Sequence, residues 1–458
     1  MIMFPKTSVS GGTLDALLLY LSILGILLAA GTAIRLKVPI LRKYHIPASL
    51  IAGVLGLLLG PYFLKIIPKT VTQCYSALAG RLIVIIFTPM LMGEAAFKNS
   101  KLAKKTLGAI CFSFGACAVQ YAVPLLLSLL IFIPFFHVNP LFSVIVEEGW
   151  IGGHGTAGGM ALVFEDLGWA DGQSLAITSA TVGLLYGVIS GMILINIAAA
   201  RGWTRFLHSH AQLKEEKAEL FPEGERRPGS YLTIDNGVID SMAFHAAVLL
   251  IAVFIGWYLR FFIKAFLHIS VSWFITAMFA GLIVKKILQM TSWRNSLDKG
   301  TMSRIQGFCL EFLVAGAVAS VNISVIISYA LPLLIQQCVI MAVMVFLALW
   351  YCRRLYGDCW FENSMICSGA YCGVFATGML LLKTCDPDLK SDAMEIFALK
   401  APFTSWAIGG GIITGMMPYW IAQYGTLNMF LVTGAAAVIA LTLPRILGCW
   451  FPVKQETV

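Results

Sequence analysis

The chain has 458 residues, of which 59% are hydrophobic and only 12% are charged. Soluble domains carry about 25% charged residues, so a soluble globular protein is excluded and the chain reads as a polytopic membrane protein. The net charge of +9 is not a nucleic-acid signal. Its basic residues fall in short clusters between apolar spans, as the positive-inside rule produces, and no basic stripe with interleaved aromatics is present.

The first residues, MIMFPKTSVSGG, lack a basic n-region, and the apolar run 14–34 is too long for a signal peptide's apolar core. It reads as a retained first helix. A bilayer crossing needs about 20 mostly apolar residues. Candidate spans follow at 14–35, 47–67, 79–97, 106–134, 174–200, 240–262, 269–289, 304–325, 327–351, 395–424 and 427–448. Two further stretches, 141–166 and 360–384, are apolar but broken by Gly, Cys and charge. They read as re-entrant hairpins, because non-helical backbone at membrane depth is tolerated only where protein or a water-filled cavity shelters it.

The one sizeable polar linker is 201–239. Within it, HSHAQLKEEKAEL reads as a short surface helix and PEGERRPGS as its end. His208 and His210 lack partner ligands there, so no metal site is expected. The eleven cysteines are scattered with no CxxC pair, and read as buried small apolar residues.

Charge sets the orientation. With the N-terminus outside, the inner loops hold Arg35, Lys37, Arg42 and Lys43, then Lys98, Lys101, Lys104 and Lys105, then the basic linker. Lys285, Lys286, Arg294, Lys299, Arg304, Arg353 and Arg354 also fall inside, whereas the connections near 136–140, 326 and 425 hold no Lys or Arg. Lys65, Lys69, Arg81, Arg260 and Lys264 are exceptions. The pattern predicts N-out, with the C-terminus inside.

The linker divides the chain into similar halves. Each has four spans, a Gly-broken hairpin and another span. The odd number of spans before the linker inverts the second half. The predicted fold is therefore all-α, with two inverted repeats of five helices and one hairpin each: 1–200 and 240–425, then an extra helix and tail over 426–458. Matching broken segments in two halves point to a transporter binding site.

The first broken segment contains GWIGGHGTAGGM, residues 149–160, and the second contains GAYCGVFATG, residues 369–378. A broken helix frees N–H groups at one end, which attract carboxylate, and C=O groups at the other, which coordinate a cation such as sodium. Thr156 and Thr377 add hydroxyls. Two opposed tips meeting near the midplane would form one site, the alternative being tight helix packing by small residues. His154 is either a proton or substrate partner or a structural hydrogen-bonder. Glu94, Glu147, Glu148, Glu311 and Lys383 are candidate cavity charges, because charge inside a membrane is costly. The alternatives are positions near the membrane surface and, for Lys383, snorkelling to the inner face.

GGHGTAGG at 152–159 resembles the GGHGTG-type motif of bacterial sodium/glutamate symporters. LRKYHIPASLIAGVLGLLLG (41–60), ATVGLLYGVISG (180–191) and GAYCGVFATGMLLLKTCDPDLK (369–390) are similar to further segments of that family. The resemblance runs over most of 13–424. It implies a homodimer in the bacterial inner membrane, with a transport part moving against a fixed scaffold, and sodium-coupled uptake of glutamate. Carried over by position, Gly152, Gly153, His154, Gly155 and Thr156 match the first motif. Gly369, Thr377 and Gly378 match the second, where Cys372 and Gly373 join the candidate site. The chain departs from the family at Ala157, Cys372, Val374 and the extra last helix.

The expected function is a cation-coupled secondary transporter whose partners are a small glutamate-like carboxylate, sodium and lipid, with no cofactor and no nucleic acid. A dicarboxylate or hydroxycarboxylate, coupled to sodium or protons, is the alternative. A passive channel would show a ring of like charges or a repeated filter motif. An enzyme would show an activated nucleophile or metal set, and a primary pump a phosphate-binding loop. None is present.

Overall fold

The computed structural model describes residues 9–43, 46–92, 102–206, 232–235, 237–267, 271–386 and 389–451. Glu94, His208, His210 and the expected surface helix in the linker lie outside the described residues.

The fold is all-helical among the described residues, and eight helices are long and apolar enough to cross a membrane. α1 spans Gly11–Lys37, with Ser10 Oγ capping the Thr13 N–H and Arg35 and Lys37 in its last turn. Its 27 residues reach about 40 Å, more than the hydrocarbon core of a bilayer. The others are α3 (Lys69–Phe87), α4 (Ala103–Leu127, prolonged to Phe136), α8 (Gly172–Arg201), α9 (Ser241–Leu267), α11 (Lys299–Ala319), α12 (Ala330–Phe346, prolonged to Leu355) and α16 (Thr426–Ile446).

Eleven spans were expected, and the structure corrects several. The stretch 47–67 forms only α2 (Ala48–Leu59), 12 residues or about 18 Å, which ends at the extended Gly60. The span expected at 79–97 starts ten residues earlier, because Pro68 is pre-set to begin α3 at Lys69. α10 (Trp273–Gln289) is also short, at 17 residues. The stretch 395–424 is not one helix. It forms α14 (Ala393–Thr404) and α15 (Ile412–Tyr424), separated by a non-helical break over 405–411. Gly409 and Gly410 have φ of +67° and +104° in that break, conformations that glycine adopts without steric cost.

Packing relations recur between the halves. A Cβ on Gly31 of α1 would lie 2.6 Å from Ala48 C=O of α2, and one on Gly256 of α9 would lie 2.5 Å from Ala277 Cα of α10. Each short helix then packs on the other half: Gly53 of α2 meets Val318 of α11, and Gly281 of α10 meets Thr88 just past α3. Glycine permits these close backbone approaches, which stand in for bulky ridges-into-grooves contacts in membrane bundles.

The first expected hairpin forms three short helices, α5 (Ile145–Trp150), α6 (Gly153–Gly159) and α7 (Ala161–Asp166). The bend between α5 and α6 uses Gly153 at φ +70°. The second, α13 (Trp360–Cys385), is helical throughout, yet it doubles back on itself. A Cβ on Gly369 would lie 2.6 Å from Gly378 Cα, whereas nine residues of straight helix span about 13.5 Å. Two facing glycines allow the arms to touch.

Candidate functional site

Glu147 organises the first broken segment. Its carboxylate is fully buried. Oε1 accepts from Gly409 N–H and from Thr414 Oγ1, both at 2.9 Å, and Oε2 accepts from the Tyr121 hydroxyl at 2.5 Å. The Cys117 thiol approaches Oε1 at 3.7 Å. Thr414 Oγ1 in turn accepts from Gly410 N–H at 3.0 Å. The bonds from Gly409, Thr414 and Tyr121 to the carboxylate are charge-assisted when it is ionised, about twice as strong as neutral ones. They fasten the unwound 405–411 segment against α5.

Thr156 completes the junction. Its hydroxyl reaches Gly409 C=O at 3.5 Å, and Cβ atoms added to Gly409 and Gly410 would meet Ile151 Cγ2 at 3.0 Å and Thr156 Oγ1 at 2.7 Å. The break at 151–153 and the break at 405–411 therefore face each other directly. Ile151, Gly152, His154 and Gly155 remain half-buried, leaving the rim of this junction open.

Glu148 differs from its neighbour. It is fully buried, and neither carboxylate oxygen has a hydrogen-bond partner. A buried carboxylate in this condition needs a proton or a cation.

His154 Nε2 lies 3.0 Å from Thr181 Oγ1 of α8, whose hydroxyl donates to Ile177 C=O at 3.1 Å. With that single hydroxyl hydrogen committed, Nε2 is the donor and the imidazole ties α6 to α8. Several motif glycines serve packing. Cβ atoms on Gly155, Gly158 and Gly159 would lie 2.7 Å from Leu310, 2.5 Å from Ala317 and 2.0 Å from Ile83.

The second tip packs on α8 beside Trp150 of the first broken segment. A Cβ on Gly183 of α8 would lie 2.3 Å from Cys372 C=O on one side and 2.7 Å from the Trp150 ring on the other. One α8 glycine thus receives both broken segments. Gly187 meets Thr377 Cγ2 at 3.3 Å and Cys372 Cβ at 3.5 Å, and Gly373 lies against Leu184. The Thr377 hydroxyl donates to Gly373 C=O. The segment facing Thr156 is thus the 405–411 break, whereas Cys372, Gly373 and Thr377 pack on α8. Glu311 and Lys383 are exposed, on α11 and near the end of α13.

Three features escaped the sequence reading: the 405–411 break, Thr414 and Lys400. Three consecutive glycines, Gly409 to Gly411, were the available signal for the first. Lys400 sits in an apolar stretch, where any charge signals function. It is 3% exposed, and its Nζ donates to Ser113 Oγ at 3.1 Å and to the Tyr371 hydroxyl. The ammonium lies over the Phe397 ring at 4.0 Å and the Tyr371 ring at 4.6 Å. Ser113, Cys117 and Tyr121 share one face of α4 at intervals of four residues, so this face connects the Lys400 group to the Glu147 group.

Comparison with curated proteins and with solved structures returned no match. The sodium/glutamate symporter family model matches residues 13–379, and with most of its length so matched the chain belongs to the sodium/glutamate symporter family.

Proposed function

We propose that the protein is a sodium-coupled symporter that carries glutamate, or a related small carboxylate, across the membrane by alternating access. The observation that carries this reading is the junction of two helix breaks, at 151–153 and 405–411, clasped by Glu147 in a chain of this family. Helix breaks at membrane depth mark substrate and ion sites in secondary transporters.

In this reading the coupling sodium sits at Glu148, whose two buried oxygens lack partners. Hard oxygen ligands of this kind suit a small hard cation. The half-open rim at Ile151 to Gly155 admits the substrate. The two breaks come from opposite halves of an inverted repeat, with residues 201–239 as the cytoplasmic linker. Movement of one half against the other would expose the junction to each side in turn. The assembly is a homodimer in the plasma membrane, with the N-terminus outside.

The test is uptake of labelled glutamate by proteoliposomes, with and without an inward sodium gradient, against a panel of dicarboxylates and hydroxycarboxylates. Saturable uptake driven by sodium is expected. Absence of saturable uptake of every panel member overturns transport. Uptake indifferent to sodium overturns the coupling, and a preference for another panel member reassigns the substrate.

A further inference from the structure

A lysine inside a membrane protein is ordinarily paired with an acid or placed where its ammonium reaches water. Lys400 does neither. It is 3% exposed, and no carboxylate among the described residues lies within ion-pair distance. Two ammonium hydrogens go to Ser113 Oγ and the Tyr371 hydroxyl, and the third meets only aromatic faces. Cation–π contacts offset only part of the desolvation of a buried charge. The carboxylate of Glu147 lies further along the α4 face. Ser113 and Tyr121 are two turns apart, or about 12 Å, and Glu147 is already engaged by its own donors. Among the described residues the cluster lacks an anion.

The hydroxyls around the ammonium are ordered. Ser113 Oγ donates to Ala109 C=O at 2.7 Å, leaving Tyr371 to donate to Ser113. Rotation of the Tyr371 hydroxyl would present a second hydrogen beside the spare Lys400 N–H. A planar carboxylate accepts such a pair of donors. The location also fits. Lys400 lies about one turn before the 405–411 break, and Tyr371 adjoins Cys372, whose carbonyl faces Gly183. The family match ends at residue 379, so Lys400 lies outside it.

We propose that Lys400 and Tyr371 bind the side-chain carboxylate of the transported substrate, with Ser113 positioning the lysine. The inference rests on the symport reading. The site is closed here, and the substrate enters as the first arm of α13 parts from α4. Its consequence is discrimination of an acidic side chain from the corresponding amide.

The experiment compares wild type, Lys400→Gln and Tyr371→Phe in proteoliposomes, with glutamate and glutamine competing for uptake of labelled substrate. If the panel identifies another dicarboxylate, that acid and its monoamide replace them. Lys400→Gln is expected to lower the acid-to-amide preference at least tenfold, and Tyr371→Phe at least threefold, while sodium still raises the melting temperature of both. Tyr371→Phe keeps the ring that packs against Lys400, so it stands if Lys400→Gln fails to fold. An acid-to-amide preference within twofold of wild type in a variant that retains its sodium response overturns the site and leaves the symport reading intact. Absence of transport by the wild type removes the reading and the site together.

Discussion

Glu147 Oε1 accepts two hydrogen bonds at 2.9 Å from residues more than 260 positions away, the Gly409 N–H and the Thr414 hydroxyl. The contact fixes the unwound part of the last broken span against the first broken segment. The Gly409 N–H can only donate, so an amide at this position must keep its oxygen toward Gly409 and turn its NH2 to the Tyr121 hydroxyl. Glu147→Gln should therefore destabilise the protein by about 2–3 kcal/mol, through lost charge-assisted bonds. Thr414→Val removes two bonds, its donation to Glu147 and its acceptance from Gly410 N–H, and should cost about 1–2 kcal/mol. Thermal unfolding in detergent checks the order. An unchanged melting temperature for Glu147→Gln would show that the carboxylate does not hold the junction.

Gly183 takes both broken segments at once, with Cys372 C=O and the Trp150 ring at 2.3 and 2.7 Å from any added Cβ. A backbone carbonyl yields less readily than a side-chain tip. Gly183→Ala should then push the α13 tip off α8 and reduce transport at least tenfold. Gly307 of α11 has nothing within 4 Å of an added Cβ, so Gly307→Ala should leave transport unchanged and stabilise by up to about 1 kcal/mol. Uptake by the two variants side by side separates a close contact from general helix propensity. Equal rates would discard the role of Gly183.

Gly410 gives a third expectation. Its φ of +104° is accessible essentially only to glycine, and an added Cβ would lie 2.2 Å from Phe87 Cζ. Gly410→Ala should cost about 1–3 kcal/mol from backbone conformation alone and disturb the junction at Thr156. A melting temperature equal to wild type would show that the break is not held in this conformation.

The helical fold and the break around Gly153 were legible because hydropathy and glycine clustering are local properties of the chain, whereas the stretch around Gly369, expected to be broken, is helical throughout. The partner of the Gly153 break was not legible. Thr156 meets Gly409 across more than 250 residues, and nothing in the local pattern pairs one glycine cluster with another. Gly409 to Gly411 carried the same break signal as the first motif, but the surrounding apolar length read as one continuous span. α2 and α3 were misplaced because Pro68 and Gly60 outweighed hydropathy in setting helix ends. The two adjacent acids were alike in sequence. Only packing separates Glu147, which is fully bonded, from Glu148, which has no partner.

Two polar clusters bear on orientation. At one, Asp166 accepts from Arg260 at 2.5 Å and from Tyr419 at 2.8 Å. At the other, Asp392 accepts from Lys105 at 2.5 Å and from Asn363 at 2.9 Å, and Glu362 accepts from Arg205 N–H at 2.8 Å. Each cluster joins segments that the charge pattern places on one side of the membrane: the Asp166 group outside, the Asp392 group inside. The Asp166–Arg260 pair is partly exposed and contributes only about 0–1 kcal/mol, so its value is as a marker of that end; the Asp392 cluster is more buried and marks the other. Lys264 is exposed near the first cluster and Lys390 near the second. In cells carrying Cys338→Ser, which removes an exposed native thiol, a cysteine replacing Lys264 should react with a membrane-impermeant maleimide from outside. A cysteine replacing Lys390 should react only after the membrane is opened. The reverse pattern would turn the N-outside topology over, and equal reactivity from outside would show that the two clusters do not lie on opposite faces.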